Sequence, residues 1–342
     1  MSRNDRFLKA CRRESTDCTP IWLMRQAGRF MASYRKARER YSLLEMFQTP
    51  ELAAEITLQP ILAFEFDAAI IFADILLPLE GMGIKLEFAE KEGPQIHNPV
   101  RTAAEVTALR VRDPDEALAY VMKALRLVRA EIEGKVPLIG FAGAPFTLAG
   151  YLIEGGSSRN FLRTKGMMYA NPELWNELMR KLAELISGFL KAQVRAGAQA
   201  VQLFDSWVGC LSPADYRDYV LPHTQSIFES LSGSRVPAIH FGTGTADLLP
   251  LMRQAGGDVL GVDWRTHLDI AWERIGTGTG IQGNLDPVSL LAPRSLMLER
   301  AEEILDRIDH RPGHIFNLGH GVLPPTSEDS VKALVDFVHG YR

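Results

Sequence analysis

Eight short apolar runs rich in β-formers recur along the chain, at residues 21–24, 68–72, 138–141, 200–204, 238–241, 259–262, 280–282 and 314–317. Polar residues rarely alternate within them, which is the pattern of parallel strands buried on both faces. Helix-start signals lie between the runs. Asp113-Pro-Asp-Glu116 predicts a capping box with proline at the first helical position, opening one helix through ALAYVMKALRLVRAEI. Asn171-Pro172-Glu173 opens a long periodic segment that stops at Gly197, and Ser212-Pro213, Thr326-Ser-Glu-Asp329 and Thr49-Pro50-Glu51 open others. Strands alternating with helices require crossover connections and a parallel sheet. A count of eight predicts closure into a single, distorted (β/α)8 TIM barrel, with an open doubly wound sheet as the alternative. The connection after the second run is long. Alternation over 83–88 and the turn signal Gly93-Pro94 predict a hairpin inserted there.

A chain of 342 residues fits one domain, 1–342, because α/β barrels often run past about 250 residues undivided. The net charge of −4 gives no general attraction for nucleic acid, so any anion site must come from locally clustered cations. Cys11, Cys18 and Cys210 show no CxxC spacing, which fits a reducing cytoplasm and argues against a disulfide framework or a cysteine-rich zinc site. The N-terminal residues lack the apolar region of a secretion signal. The most apolar stretch, 61–79, is interrupted by Glu65, Asp67 and Asp74, so no membrane span is expected.

In barrels of this kind the chemistry lies at the C-terminal ends of the strands. The residues there are Arg25 and Arg29; Asp74; Gly143-Ala-Pro145 and then Tyr151; Asp205 and Ser206; His240; Asp263 and Arg265; Gly283 to Asp286; and Gly319-His320-Gly321. No lysine falls at a strand end, which disfavours Schiff-base chemistry. The third strand ends in glycine and alanine, so a run of acids for magnesium is missing. No dinucleotide or P-loop spacing occurs. Arg25 and Arg29 directly follow a buried run, and arginine's rigid fork suits carboxylate or phosphate. Their pentapeptide MRQAG recurs at 252–256, where it reads as the end of a surface helix, so position and not the string carries the signal. Arg35 and Arg40 read as a solvated basic helix start. Asp74 needs hydrogen-bond donors if buried, either an arginine or the N–H groups of a ligand. Asp205, Asp263 and Asp286 read as mainly structural.

PIWLMRQAGR at 20–29 and DAAIIFADILLPLEGMG at 67–83 resemble two signatures of the uroporphyrinogen decarboxylase family. GAPFTLAGYLIEGGSS, QLFDSW, HFGTG, GNLDP and FNLGHGVLP, in order, are also similar to that family, so the resemblance spans the chain. It implies a cofactor-free and metal-free carboxy-lyase on a single distorted barrel, usually a homodimer. The implied reaction turns four acetate side chains of uroporphyrinogen III into methyls, giving coproporphyrinogen III in haem and tetrapyrrole biosynthesis. It implies a substrate-binding pentapeptide Arg25, Gln26, Ala27, Gly28 and Arg29, a central carboxylate Asp74, and contacts from Arg38, Tyr151, Ser206 and His320. Catalytic roles are expected for Asp74, Arg25, Tyr151 and His320, with His320 either a binding group or a proton donor.

Three rivals compete. A zinc methyltransferase on the same fold would need a thiolate near the fifth strand, but that strand reads His240-Phe241-Gly242 and no cysteine follows Cys210. A sugar-phosphate enzyme leaves the arginine pair unexplained. A tetrapyrrole carrier would want an apolar slot, not arginine and aspartate.

Overall fold

The computed structural model describes residues 5–89 and 93–341. Its strands are β1 (Ala69–Ile70), β2 (Leu86–Ala89), β3 (Gly93–Ile96), β4 (Leu138–Gly143), β5 (Ala200–Asp205), β6 (Ala238–Gly242), β7 (Val259–Gly261), β8 (Gly280–Leu285) and β9 (His314–Leu318). Seven of them form one all-parallel sheet in the order β1-β4-β5-β6-β7-β8-β9. Every residue of β4, β6, β8 and β9 is buried, as the unbroken apolar runs require. The sheet curls until segment 20–22 touches both its edges. On one side Phe316 N donates to Pro20 O (2.8 Å) and Ile21 bridges Phe316 in parallel; on the other Asp67 N donates to Ile21 O (2.9 Å).

The expected first strand is therefore reduced to a bridge. Only Trp22 N finds a strand partner, Phe316 O (3.4 Å); the other backbone donors go to side chains, Ile21 N to Asp67 Oδ2, Leu23 N to Gln26 Oε1 and Met24 N to Asn317 Oδ1. Each such bond satisfies a buried N–H as well as a strand partner would. Between β1 and β4 the strands β2 and β3 pair antiparallel, Leu86 opposite Ile96 and Ala89 opposite Gly93; residues 90–92, where the predicted hairpin would turn, lie outside the described residues.

Two predicted helices are each broken in two. Asp113 caps Pro114–Ala117 through Asp115 N, Leu118 leaves helical geometry, and a second helix runs Ala119–Glu131. There is no capping box at 113–116; boxes close instead at Ser42–Glu45 and Thr102–Glu105. Ser212 caps Pro213–Tyr219, and the chain bends at Val220 before Leu221–Leu231. Pro222, at the second position of the following helix, lacks the N–H that would continue the first one. Asn171 caps Pro172–Arg195 and Ser327 caps Glu328–Gly340, while Thr49 precedes Pro50–Ala63 without a side-chain cap.

Alternate residues of the curled sheet point inward. Ile139, Ala200, Ile239, Phe241, Val259 and Ile315 cluster there with Trp22, Met24 and Ala68. Beside this apolar cluster runs a polar relay. Trp22 Nε1 donates to Gln282 Oε1 (2.9 Å), Gln282 Nε2 to Gln202 Oε1 (3.1 Å), and Gln202 Nε2 to Met24 Sδ (3.7 Å). Every link lies in the interior, where an unmade bond costs its full desolvation. Gln282→Leu strands the Trp22 indole N–H and the Gln202 carbonyl together. It is expected to cost about 2–4 kcal/mol in urea unfolding, and an unchanged midpoint would refute the relay's role.

Candidate active site

The segment after Met24 makes a tight turn, closed by Gln26 N donating to Leu23 O (3.0 Å). Arg25 sits there in the left-handed region, φ 60°, a conformation uncommon outside glycine and enriched at functional sites. A side chain at Gly28 would bring its Cβ to 3.0 Å from the Arg25 carbonyl, a tight approach that favours glycine at that position. Gln26 is fully buried and its side chain is spent inside, accepting from Leu23 N and donating to Ala68 O. Ala27 is partly buried against the core cluster that includes Ile21, Leu23 and Phe30. The two arginines stay exposed, and among the described residues neither guanidinium has a hydrogen-bond or ion-pair partner. Arg35, by contrast, is committed to the carbonyls of Arg29 and Phe30.

Asp74 lies just past β1. Its Oδ1 accepts from Leu76 N (2.9 Å), a bond within its own turn. Burial in protein mass pushes its carboxyl up to about 6, against the opposing pull of the Leu76 N–H and the Arg25 charge. Arg25 is thus near enough to act on Asp74 while making no ion pair with it.

Tyr151 projects from helix Pro145–Glu154 and stacks on Trp207 with ring centroids 3.9 Å apart. Burial and the Asp74 charge push its phenol up to about 12, so it stays a hydroxyl donor, while Arg25 pulls the other way. Ser206 precedes Trp207 in the turn after β5, half-buried, its carbonyl accepting from Thr243 Oγ1. His320 follows β9. Its Nδ1 accepts from Gly321 N (2.7 Å), which assigns the ring proton to Nε2. Burial, then the charges of Arg25 and Arg265, hold the imidazole down at about 4. A Cβ at Gly321 would collide with the stem of Arg25, so only glycine lets that arginine lie against the loop.

Arg25, Asp74, Tyr151 and His320, from four separate segments, therefore share one electrostatic neighbourhood. Arg29 and Arg38 meet elsewhere on the rim, around the buried phenol of Tyr34, whose upward shift both oppose. Arg38 also donates to Tyr41 O (2.6 Å). Tyr34 was not anticipated; its place four residues before Arg38 on helix Ala32–Arg38 is the signal that points to it. Trp207 was likewise unassigned, and nothing local in the sequence pairs it with Tyr151. His240 is no site residue: it faces the helices, packed on Phe228 at 5.1 Å. Asp263 accepts from Gly244 N and pairs with Arg265, and Asp286 caps the turn after β8.

Among the described residues no cluster of three or more His, Cys, Asp or Glu side chains could hold a metal ion, and no helix is long and apolar enough to cross a membrane. Two concavities, of about 580 and 510 Å³, open beside the N-terminal ends of β6, β8 and β9 and include none of Arg25, Arg29, Asp74, Tyr151, Ser206 and His320. That end of a parallel α/β sheet serves stability more than chemistry. Titration of the His320 ring by proton NMR is expected to give a value well below 6.5, near 4. A midpoint at or above 6.5 would contradict the buried, Nδ1-accepting geometry.

A family model described as uroporphyrinogen decarboxylase (URO-D) matches residues 2–341. The uroporphyrinogen decarboxylase of Sorangium cellulosum is 59% identical over 336 residues, covering 98% of this chain and 96% of the relative. That of Carboxydothermus hydrogenoformans is 56% identical over the same shares. A methyltransferase from Methanosarcina mazei superposes with a TM-score of 0.80 at 20% identity, over 99% of this chain and 98% of that one, a likeness of fold. With the family model spanning the chain and relatives above half identity at full coverage, this chain belongs to the uroporphyrinogen decarboxylase family.

Proposed function

We propose that this chain converts uroporphyrinogen III to coproporphyrinogen III by removing four acetate carboxyl groups, without metal or organic cofactor. The observation that carries the reading is a lone half-buried acid, Asp74, beside the partnerless Arg25 and two uncharged donors, Tyr151 and His320. The substrate has the inverse pattern: four pyrrole N–H groups at its centre and eight carboxylates at its edge. Asp74 accepts the inner N–H bonds, which favour its ionised form. It also offsets the positive charge formed when a pyrrole carbon is protonated. The protonated ring is then the electron sink: the acetate C–C bond breaks, CO2 leaves, the resulting methylene takes a proton to become a methyl, and the ring carbon gives up the proton it had gained, restoring the pyrrole. Each round consumes one proton net.

Arg25, Arg29 and Arg38 grip rim carboxylates; a guanidinium keeps its charge in proteins and serves as anchor and electrostatic partner. Tyr151 and Ser206 offer hydroxyls. Gln26, Ala27 and Gly28 contribute by shaping the turn that aims the two arginines. His320 acts as an Nε2–H donor to a carboxylate, because an imidazole held near 4 with Nδ1 already accepting is a poor imidazolium acid at neutral pH.

The finer architecture belongs to the same reading. Segment 20–24 takes the place of an eighth strand and closes the seven-stranded sheet into a single (β/α)8-barrel domain over residues 1–342. The antiparallel pair β2–β3 is the hairpin inserted after the second strand. We place the protein in the cytoplasm as a homodimer, free of nucleic acid and membrane.

Anaerobic incubation with uroporphyrinogen III is expected to yield hepta-, hexa-, penta- and tetracarboxylate porphyrinogens in sequence. A folded protein that removes no carboxylate overturns the proposal. Exhaustive chelation should leave the rate unchanged, and activity lost on chelation and restored by zinc would revive the metal rival. Asp74→Ala should lower turnover by about 10²-fold or more, as removal of a preorganised electrostatic group does. Near-normal turnover in that variant would dismiss the central carboxylate.

A further inference from the structure

Asp205, at the end of β5, is fully buried, yet none of the roles above uses it. Its Oδ1 accepts from Thr147 Oγ1 (3.0 Å), and the same hydroxyl accepts from Trp207 N (3.3 Å). Thr147 is itself fully buried, on the helix Pro145–Glu154 that also carries Tyr151. The second carboxyl oxygen has no hydrogen-bond partner, and no cation lies within ion-pair distance among the described residues. The Tyr216 phenol and the Cys210 thiol feel it: burial chiefly pushes both up, and the Asp205 charge adds to the rise. Burial without a countercharge pushes Asp205 itself up to about 7.

A buried acid of this kind is costly unless it orders something. Here it bears on the turn Ser206–Trp207. The Trp207 amide is pinned to Thr147, Thr147 is pinned to Asp205, and the Trp207 ring is the platform on which Tyr151 lies at 3.9 Å. Two site residues from different segments thus depend on one hydroxyl.

We infer that Asp205 is a positioning residue that, through the Thr147 hydroxyl, holds the Ser206–Trp207 turn and so sets Tyr151 and Ser206 at the substrate. This rests on the proposed decarboxylase reading for its kinetic consequence. What the relay needs from Asp205 is a carbonyl-type acceptor at Oδ1, which a protonated acid, an ionised acid and an amide all supply. An apolar side chain does not supply it, and neither does a relay without its hydroxyl.

The test compares Asp205→Asn, Asp205→Leu, Thr147→Val and the double variant Asp205→Leu/Thr147→Val with the wild-type protein. Two readouts are used: kcat and KM for uroporphyrinogen, and near-UV circular dichroism without substrate. Thr147→Val and Asp205→Leu are expected to lower kcat/KM at least tenfold, with the double variant no worse than the poorer single one. Asp205→Asn is expected to stay within about threefold of wild type. Without substrate, Thr147→Val should diminish the part of the aromatic spectrum that Tyr151→Leu removes. If Asp205→Leu does not fold, Thr147→Val and Asp205→Asn carry the comparison. A folded Thr147→Val with wild-type kcat/KM and an unaltered aromatic spectrum overturns the inference, as does an Asp205→Asn as impaired as Asp205→Leu. Absence of turnover in the wild-type protein would instead count against the decarboxylase reading, leaving the spectral comparison to decide the relay.

Discussion

Asp74 and Arg25 oppose one another at the strand ends without closing an ion pair. That unclosed gap is what the rest of the site is built around. A salt bridge between them would satisfy both groups internally and leave nothing for a ligand. Instead, among the described residues, the carboxyl has only its own turn's N–H, at Leu76, and burial lifts it to about 6. The neighbouring groups keep the balance. Tyr151 and His320 add no charge at neutral pH, so the groups gathered about Arg25 are the Asp74 carboxyl and two neutral donors. Such an arrangement is stabilised by a guest that is cation-seeking at its edge and N–H-rich at its centre.

Holding charges apart takes a stiff backbone, and several features supply it. The left-handed Arg25, the glycine at 28 and the inward-turned Gln26 make a turn with one geometry. Gly321 lets the Arg25 stem lie flat against the His320 loop. Beneath, the Trp22–Gln282–Gln202–Met24 relay ties the site-bearing segment to the sheet interior, so the position of Arg25 is linked to the core. Preorganisation of this sort keeps the electrostatic advantage from being lost to rearrangement on binding.

Much of this was legible in residues alone. The buried strands are legible as unbroken apolar runs, and the position of Arg25, Arg29, Asp74 and His320 after such runs places them at the C-terminal end of the sheet. The repeat of MRQAG at 252–256 shows why position matters: there it ends helix Leu249–Ala255, beside the opposite end of the sheet. What stayed hidden depended on contacts distant in sequence. The first run looks like a strand, but Asp67, Gln26 and Asn317 side chains take three of its four backbone donors. The breaks at Leu118 and Val220 interrupt helical periodicity that continues smoothly across them. The Tyr151–Trp207 stack joins two segments that only the sheet brings together.

The central claim is that Asp74 accepts the inner N–H groups of a bound ring. Its most direct test is the pH titration of the Asp74 carboxyl by isotope-edited infrared difference spectroscopy, with Asp74→Asn as the reference. The free protein should titrate near 6, and saturation with coproporphyrinogen III should move that midpoint distinctly lower, because N–H donors favour the ionised form. A midpoint that stays put, or rises, when the tetrapyrrole binds would contradict the account.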